Sequence, residues 1–249
     1  MNPLSIQLYT VRNLLAEDLP GTLEFLAETG FTQVEPFGFT SSAEELAENL
    51  PRLGLTAPTA HISLLGADLS EVFRAAQRIG ISTIFDPMID PARWGTRESV
   101  EKIAAELKQV AAQAADYGLR VGYHNHAFEL ENRIDGVPAL EVFAEAAGDA
   151  LDLEVDTYWA EVGGADAVEL LGALGGQVRA LHIKDGPKTK ENKDQVALGS
   201  GDMAIREILA AAPQALAVVE LDDFDGDIRE AVRDSHGYLT ENGLAGGAA

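Results

Sequence analysis

Along the chain, short runs rich in β-branched and aromatic residues alternate with longer stretches whose apolar residues recur every three or four positions. The runs are LSIQLY (4–9), TQVEPF (32–37), LTAPTAHI (55–62), STIFDP (82–87), LRVGYHNH (119–126), LDLEVDTY (151–158), VRALHIKD (178–185) and LAVVELDD (216–223). Eight strands are expected from them. Between them GTLEFLAETG, SAEELAENLPRLG, LSEVFRAAQRIG and the long TRESVEKIAAELKQVAAQAADYG read as amphipathic helices. Several stop at Gly30, Gly54, Gly80 and Gly118, where a left-handed cap would end a helix ahead of the next strand. Strand alternating with helix predicts a parallel sheet covered by helices. Eight such units in 249 residues have the size of a (β/α)8 barrel, an α/β fold in a single domain. A doubly wound open sheet is the alternative, but neither GxGxxG nor GxxxxGK follows the first strand. The barrel is expected over residues 1–242, with GLAGGAA (243–249) as a flexible C-terminal tail.

In such a barrel, polar residues at strand C-termini build the active site. Glu35, His61, His124, His126, Asp156, His182, Lys184, Glu220 and Asp222 all fall at or near those ends. The fifth histidine, His236, lies in the last helical stretch and reads as a surface residue. Parity adds direction. In LDLEVDTY the leucines and Val155 would pack on helices, which turns Asp152, Glu154 and Asp156 inward. The same alternation turns His182 with Lys184, and Glu220 with Asp222, into the barrel. Acids at inward positions need partners, and Glu154 with Lys184 is the expected inner ion pair. His124 and His126 point the same way if the strand runs through both, into what would be a polar, metal-containing mouth.

Composition narrows the chemistry. With no cysteine, any metal must be held by oxygen and imidazole. A net charge of −23 with no basic patch disfavours nucleic acid and anionic membranes as partners. No run approaches the length of a membrane span, and MNPLSIQLYT lacks the pattern of a signal peptide, so a cytoplasmic location is expected.

QLYTVR, VEPFG, YHNHAFE, the EVDTYWAEVGGADAVELL run, LHIKD and VVELDD, in this order over almost the whole chain, resemble the sugar phosphate isomerase/epimerase branch of the xylose isomerase-like TIM barrels. The resemblance implies one divalent metal held by Glu, Asp, His and Glu from strands five to eight. Asp156, His182 and Glu220 match the last three positions. The strand that would supply the first glutamate ends in YHNH, so His124 is its natural replacement, with His126 or Glu129 as alternatives. The expected ligand set is therefore His124, Asp156, His182 and Glu220, with manganese, magnesium, zinc, cobalt or iron as the metal.

In the ketose epimerases the first and last glutamates also move the proton. The corresponding catalytic groups here are Glu220, His124 and His126, an imidazole being a good general base near neutral pH. Gln7, Glu35, His61, Trp159 and Lys184 are the expected substrate contacts. The implied activity is a metal-dependent sugar isomerase or epimerase, abstracting a proton next to a carbonyl through a metal-stabilised enediolate. A lyase or hydratase acting on a 3-keto sugar or glycoside is the alternative. An endonuclease IV-like phosphodiesterase needs more histidines than this chain offers, and a sugar-binding barrel without turnover is the remaining reading. No glycine-rich phosphate cradle is present, which points to a neutral sugar or keto-sugar. The lysine-rich segment 186–202 is expected as a mobile cover over the mouth or as a solvated loop. Dimers and tetramers occur among relatives, so a homo-oligomer is compatible with the resemblance.

Overall fold

The expected alternation closes into a parallel eight-stranded barrel in a computed structural model that describes residues 3–244. Of the expected tail at 243–249, residues 245–249 lie outside the described residues. The barrel strands are β1 (Leu4–Gln7), β2 (Gln33–Glu35), β3 (Thr59–His61), β4 (Thr83–Asp86), β5 (Arg120–His124), β6 (Asp152–Asp156), β7 (Val178–Ile183) and β8 (Leu216–Val219). Neighbours run β2, β1, β8, β7, β6, β5, β4, β3. The two ends of that order meet, since Val34 N donates to Thr56 O (2.9 Å) and His61 N to Pro36 O (2.8 Å). TQVEPF and LTAPTAHI shrink to three residues each because Pro36 and Pro58 have no N–H to give the ladder.

Eight principal helices surround the barrel: α1 (Leu19–Thr29), α2 (Ala43–Arg52), α3 (Leu69–Ile79), α4 (Arg97–Ala114), α5 (Ala139–Ala147), α6 (Ala167–Leu174), α7 (Ile205–Ala211) and α8 (Ile228–Glu241). Their limits follow from local chemistry. The Asp68 carboxylate accepts the Ser70 and Glu71 N–H groups to start α3, and Gly80, at φ 91°, ends it in the left-handed conformation. Val72, Phe73, Ala75 and Ala76 form its buried stripe. None of the described helices is long and apolar enough to cross a membrane.

The barrel interior has three levels. At the bottom, buried Asp152 accepts from Arg120 (Nη2, 2.6 Å) and Arg179 (Nε, 3.2 Å). Phe85, Ala180 and Val218 form a small apolar level above it. Gly122 makes room there, because a Cβ on it would lie 2.4 Å from the Asp152 carbonyl oxygen and 2.5 Å from the Phe85 ring. Leu153, Val155, Leu181 and Ile183 point the other way, into the core beneath the helices. The third level is the charged mouth.

Candidate active site

The strand ends deliver the polar groups, and local capping orients them. Gln7 closes β1 by accepting the Tyr9 N–H on Oε1 (3.1 Å), while its amide donates to Glu35 Oε1 (2.8 Å). Asp156 closes β6 by capping a short helix, Thr157–Val162, through Trp159 N (2.9 Å). One Asp156 oxygen is thereby fixed and the other faces the mouth. Trp159 thus stands on a helix just past the strand expected to run to residue 158. β5 likewise ends at His124, so His126 lies beyond the strand and its direction is set by the turn, not by parity.

His182 sits at the centre of the mouth with partners on both ring edges. Its Nδ1 meets Glu220 Oε2 (2.6 Å), and its Nε2 meets Glu35 Oε1 (2.7 Å) and Glu154 Oε2 (3.2 Å). His61 stacks on the same ring at 5.0 Å and reaches Glu154 and Glu35 with its Nε2. His124 Nδ1 lies 3.2 Å from Glu154 Oε2, and its Nε2 3.8 Å from Asp156 Oδ2.

Lys184 corrects an expectation. Its Nζ pairs with Asp156 Oδ2 (2.6 Å), Glu220 Oε2 (2.8 Å) and Asp222 Oδ2 (2.9 Å), not with Glu154. The reason is register: Glu154 stands opposite Ala180, four positions below Lys184 on the neighbouring strand, after an irregularity between Leu153 and Glu154.

These contacts set the protonation states. Burial opposes charge on Lys184, but Asp156, Asp222 and Glu220 raise it well above the usual lysine range. Burial would raise Glu220, yet Lys184 and His182 hold its carboxyl well below the ordinary value. Burial would lower His61 and His182, and the surrounding carboxylates raise both instead. Glu35 is pushed down to about 2, because His61 and His182 outweigh its burial. Burial, reinforced by the charge of Glu35, pushes Glu154 up to about 7. His124 and His126 go the other way: burial and nearby positive charge push His124 well below the imidazole range and His126 down to about 4.

Above these groups opens a cavity of ≈ 670 Å³. His61, His124, His126, Glu220 and Asp222 reach it from below, and Gln7 and Trp159 also line it. Tyr9, Phe37 and Met88 form an exposed apolar rim, with the two aromatic rings edge to face at 5.2 Å. Glu35, Asp156, His182 and Lys184 lie beneath this lining and are fully or almost fully buried. Glu129 takes no part in the mouth's ligand clusters. It is buried against Tyr123 and accepts the His126 N–H (2.8 Å). His236 packs edge-on against Phe31 at 5.0 Å.

Two features were beyond sequence reasoning. Glu154 shares the inward face of Asp156, a signal that placed it inside as a partner for Lys184 but did not show that it meets His61, His124 and His182. Gln195, in the segment after β7, is fully buried: its Nε2 donates to Asp222 Oδ2 (2.7 Å), and its Oε1 accepts the Asp222 N–H (2.7 Å). The segment itself is pinned by Asp185, which accepts Gly186 N, Gly199 N and Met203 N at 2.8–3.0 Å.

The residues fit a divalent cation. Donor atoms of Asp156, His182 and Glu220 lie within 4.8 Å of one another, as do those of His61, His124, Glu154 and His182. Glu35 Oε2 and Glu154 Oε1 are buried without a hydrogen-bond partner. Such an acceptor costs about 1–3 kcal/mol unless something positive meets it. Five carboxylates, of Glu35, Glu154, Asp156, Glu220 and Asp222, face one ammonium and two raised imidazoles. This cluster can hold a metal ion.

Comparison with known proteins agrees with the fold. No curated protein matched the sequence. Among solved structures, a sugar phosphate isomerase/epimerase from Parabacteroides distasonis superposes with a TM-score of 0.86 at 20% identity, covering 98% of this chain and 96% of that one. The probable 3-DHS dehydratase AsbF of petrobactin synthesis from Bacillus anthracis gives 0.74 at 17% identity, with 96% and 98% covered. The IolI protein, solved with a bound zinc atom, gives 0.77 at 16% identity, with 98% of each chain covered. At these identities the likeness establishes the fold alone. The sequence profile of the xylose isomerase-like TIM barrels, however, matches residues 23–241, and the chain belongs to that family.

Proposed function

We propose that the protein is a divalent-metal-dependent sugar isomerase or epimerase that removes a proton from carbon next to a carbonyl. One juxtaposition supports this best: an anionic carboxylate, Glu220, and a neutral imidazole, His126, face the same cavity. The group that takes the proton can return it to the neighbouring carbon. Return to the opposite face needs a second group that already carries one, here the N–H of the neutral imidazole. Glu220 is fixed in its ionised form by Lys184 and His182, beneath the cavity floor. His126 lines the cavity, and its Nδ1 is buried without a hydrogen-bond partner, so no neighbour fixes the ring's proton at that atom. His124, also neutral, stands beside it with ring centroids 5.3 Å apart.

The remaining residues hold the sugar. Asp222 is fixed by Trp159 Nε1 (3.1 Å) and Gln195 and presents a carboxylate to sugar hydroxyls. Tyr9, Phe37 and Trp159 offer aromatic surface to its C–H faces. Among the described residues the cavity lining contains no lysine or arginine, which favours a neutral sugar or keto-sugar over a phosphorylated one and disfavours nucleic acid. A divalent ion would be held at His182, either with Asp156, Glu220 and His124 or with the donors on its other ring edge. It would supply positive charge that polarises the carbonyl and acidifies the adjacent C–H.

The neighbouring imidazoles favour one second reading. Two neutral rings on one wall can take a proton from carbon and pass it to a leaving oxygen on the same side, which is a lyase or dehydratase reaction on a 3-keto sugar or glycoside. Incubating the metal-loaded protein with ketoses and 3-keto-glycosides in D2O tests both. Deuterium at the reacting carbon is expected, with an epimer or isomer as product; an unsaturated product selects elimination. Absence of exchange across the panel would reject proton abstraction.

A further inference from the structure

We propose that the ion binds across the barrel, on one ring nitrogen each of His61, His124 and His182 and one oxygen of Glu154, and not between Asp156 and Glu220. This rests on the proposed function only in taking the mouth as a metal site; it concerns which atoms hold the ion.

The position between Asp156 and Glu220 already has a cation. Lys184 Nζ lies 2.6 Å from Asp156 Oδ2, 2.8 Å from Glu220 Oε2 and 2.9 Å from Asp222 Oδ2. The ammonium is fully buried, and if it left, each of the three oxygens would lose an ion pair and Asp156 Oδ2 its hydrogen bond. A divalent ion placed there would confront that fixed charge at close range, without water to screen it.

The cross-barrel set is free of this conflict. Its donors come from β3, β5, β6 and β7, all are buried, and their atoms lie within 4.8 Å of one another. The three rings face each other with centroids 4.5–5.0 Å apart. Among the described residues, the ion pairs of Glu154 are with imidazoles alone. Its second oxygen, and Glu35 Oε2 beside the set, are among the described residues the two buried carboxylate oxygens without hydrogen-bond partners. They are the acceptors that a cation at this place would serve. His61 and His124 of this set line the cavity, as Glu220 alone does among Asp156, His182 and Glu220, so an ion on this set faces the substrate through two of its imidazoles. Three imidazoles with one carboxylate favour zinc, cobalt or iron over magnesium, which prefers oxygen donors.

X-ray absorption on the full-length protein loaded with one equivalent of zinc or cobalt counts the imidazoles directly. Three per ion are expected; one or two would overturn the placement. Zinc titration of variants gives a second reading. His61→Asn and Glu154→Gln, checked for folding by circular dichroism, should each weaken zinc binding at least 100-fold, and Asp156→Asn should change it less than tenfold. The reverse pattern, or no binding of zinc or cobalt by the native protein, would also overturn it. Deuterium exchange into substrate is read separately: exchange with a one-imidazole site rejects only this placement, and a three-imidazole site without exchange rejects only the proposed reaction.

Discussion

Glu220 is locked between an ammonium and an imidazole and yet reaches the cavity, so Glu220→Gln removes its charge while keeping its shape. The turnover number of this variant should fall by about 10²–10⁴, the range for losing a positioned acid or base. Retention of native turnover would remove Glu220 from the reaction. Glu129 has a different consequence. Burial pushes its carboxyl up to about 8 in the folded protein, from 4.5 in the unfolded chain, against the opposing hydrogen bonds of Tyr123 and the His126 N–H. Between these values the folded state keeps a proton that the unfolded state has released. The contribution of Glu129 to stability is therefore full below about pH 4.5 and is lost as pH rises toward 8, by about 1.4 kcal/mol per unit. Glu129→Gln should flatten that decline. Urea unfolding of both proteins at several pH values across the window checks it, and parallel profiles would show that Glu129 is ionised throughout. At this scale the sequence was informative wherever strand parity applied: Asp156, His182 and Glu220 were readable as inward groups at successive strand ends. The partner of Lys184 was not readable, because it depends on the β6–β7 register and the irregularity after Leu153.

Strands and turns decide how those side chains meet. The eight strands and the Gly30 and Gly80 caps were legible from alternation and turn chemistry, while strand lengths were not, since prolines and capping residues trimmed them. Gly122 shows what the barrel asks of an element. Its neighbours, Arg120 below and His124 above on the same face, leave a gap into which the Phe85 ring fits. Gly122→Ala would put a methyl group into the Asp152 backbone and that ring. It should destabilise the fold by about 1–3 kcal/mol, the usual cost of overpacking, as measured by denaturant unfolding. An unchanged midpoint would mean that β5 can shift. The segment after β7 was read as a mobile cover or a solvated loop because its composition is polar and lysine-rich. What holds it is long-range: Asp185 gathers three of its N–H groups, and Gln195 turns inward to Asp222. Such pairings between distant positions carry no periodic signal. Gln195→Ala should release Asp222 and raise KM for the sugar several-fold with a smaller effect on kcat. The opposite split would place Gln195 in the chemical step rather than in holding the loop.

At the scale of the molecule, two electrostatic effects act on the same fold and have different dependences on ions. The net charge of −23 opposes compaction everywhere, and any added electrolyte relieves it by screening, with a Debye length of about 10 Å at 0.1 M. The mouth concentrates five acids against too few cations, and only an ion that enters it relieves that. At fixed ionic strength, screening is constant and site binding is not. A divalent ion at 100 times its Kd stabilises the native state by about 2.7 kcal/mol. For a chain of this size each kcal/mol moves Tm by about 2–4 °C. Zinc or cobalt at micromolar concentration, with ionic strength held by sodium chloride, should therefore raise Tm by roughly 5–10 °C, and a chelator should reverse the rise. Sodium chloride alone should act only over tens of millimolar and without saturation. If Tm followed ionic strength whatever the ion, the excess of acids in the mouth would be one more part of a diffuse surface charge, and the barrel would be holding its carboxylates apart with Lys184 and protonated imidazoles alone.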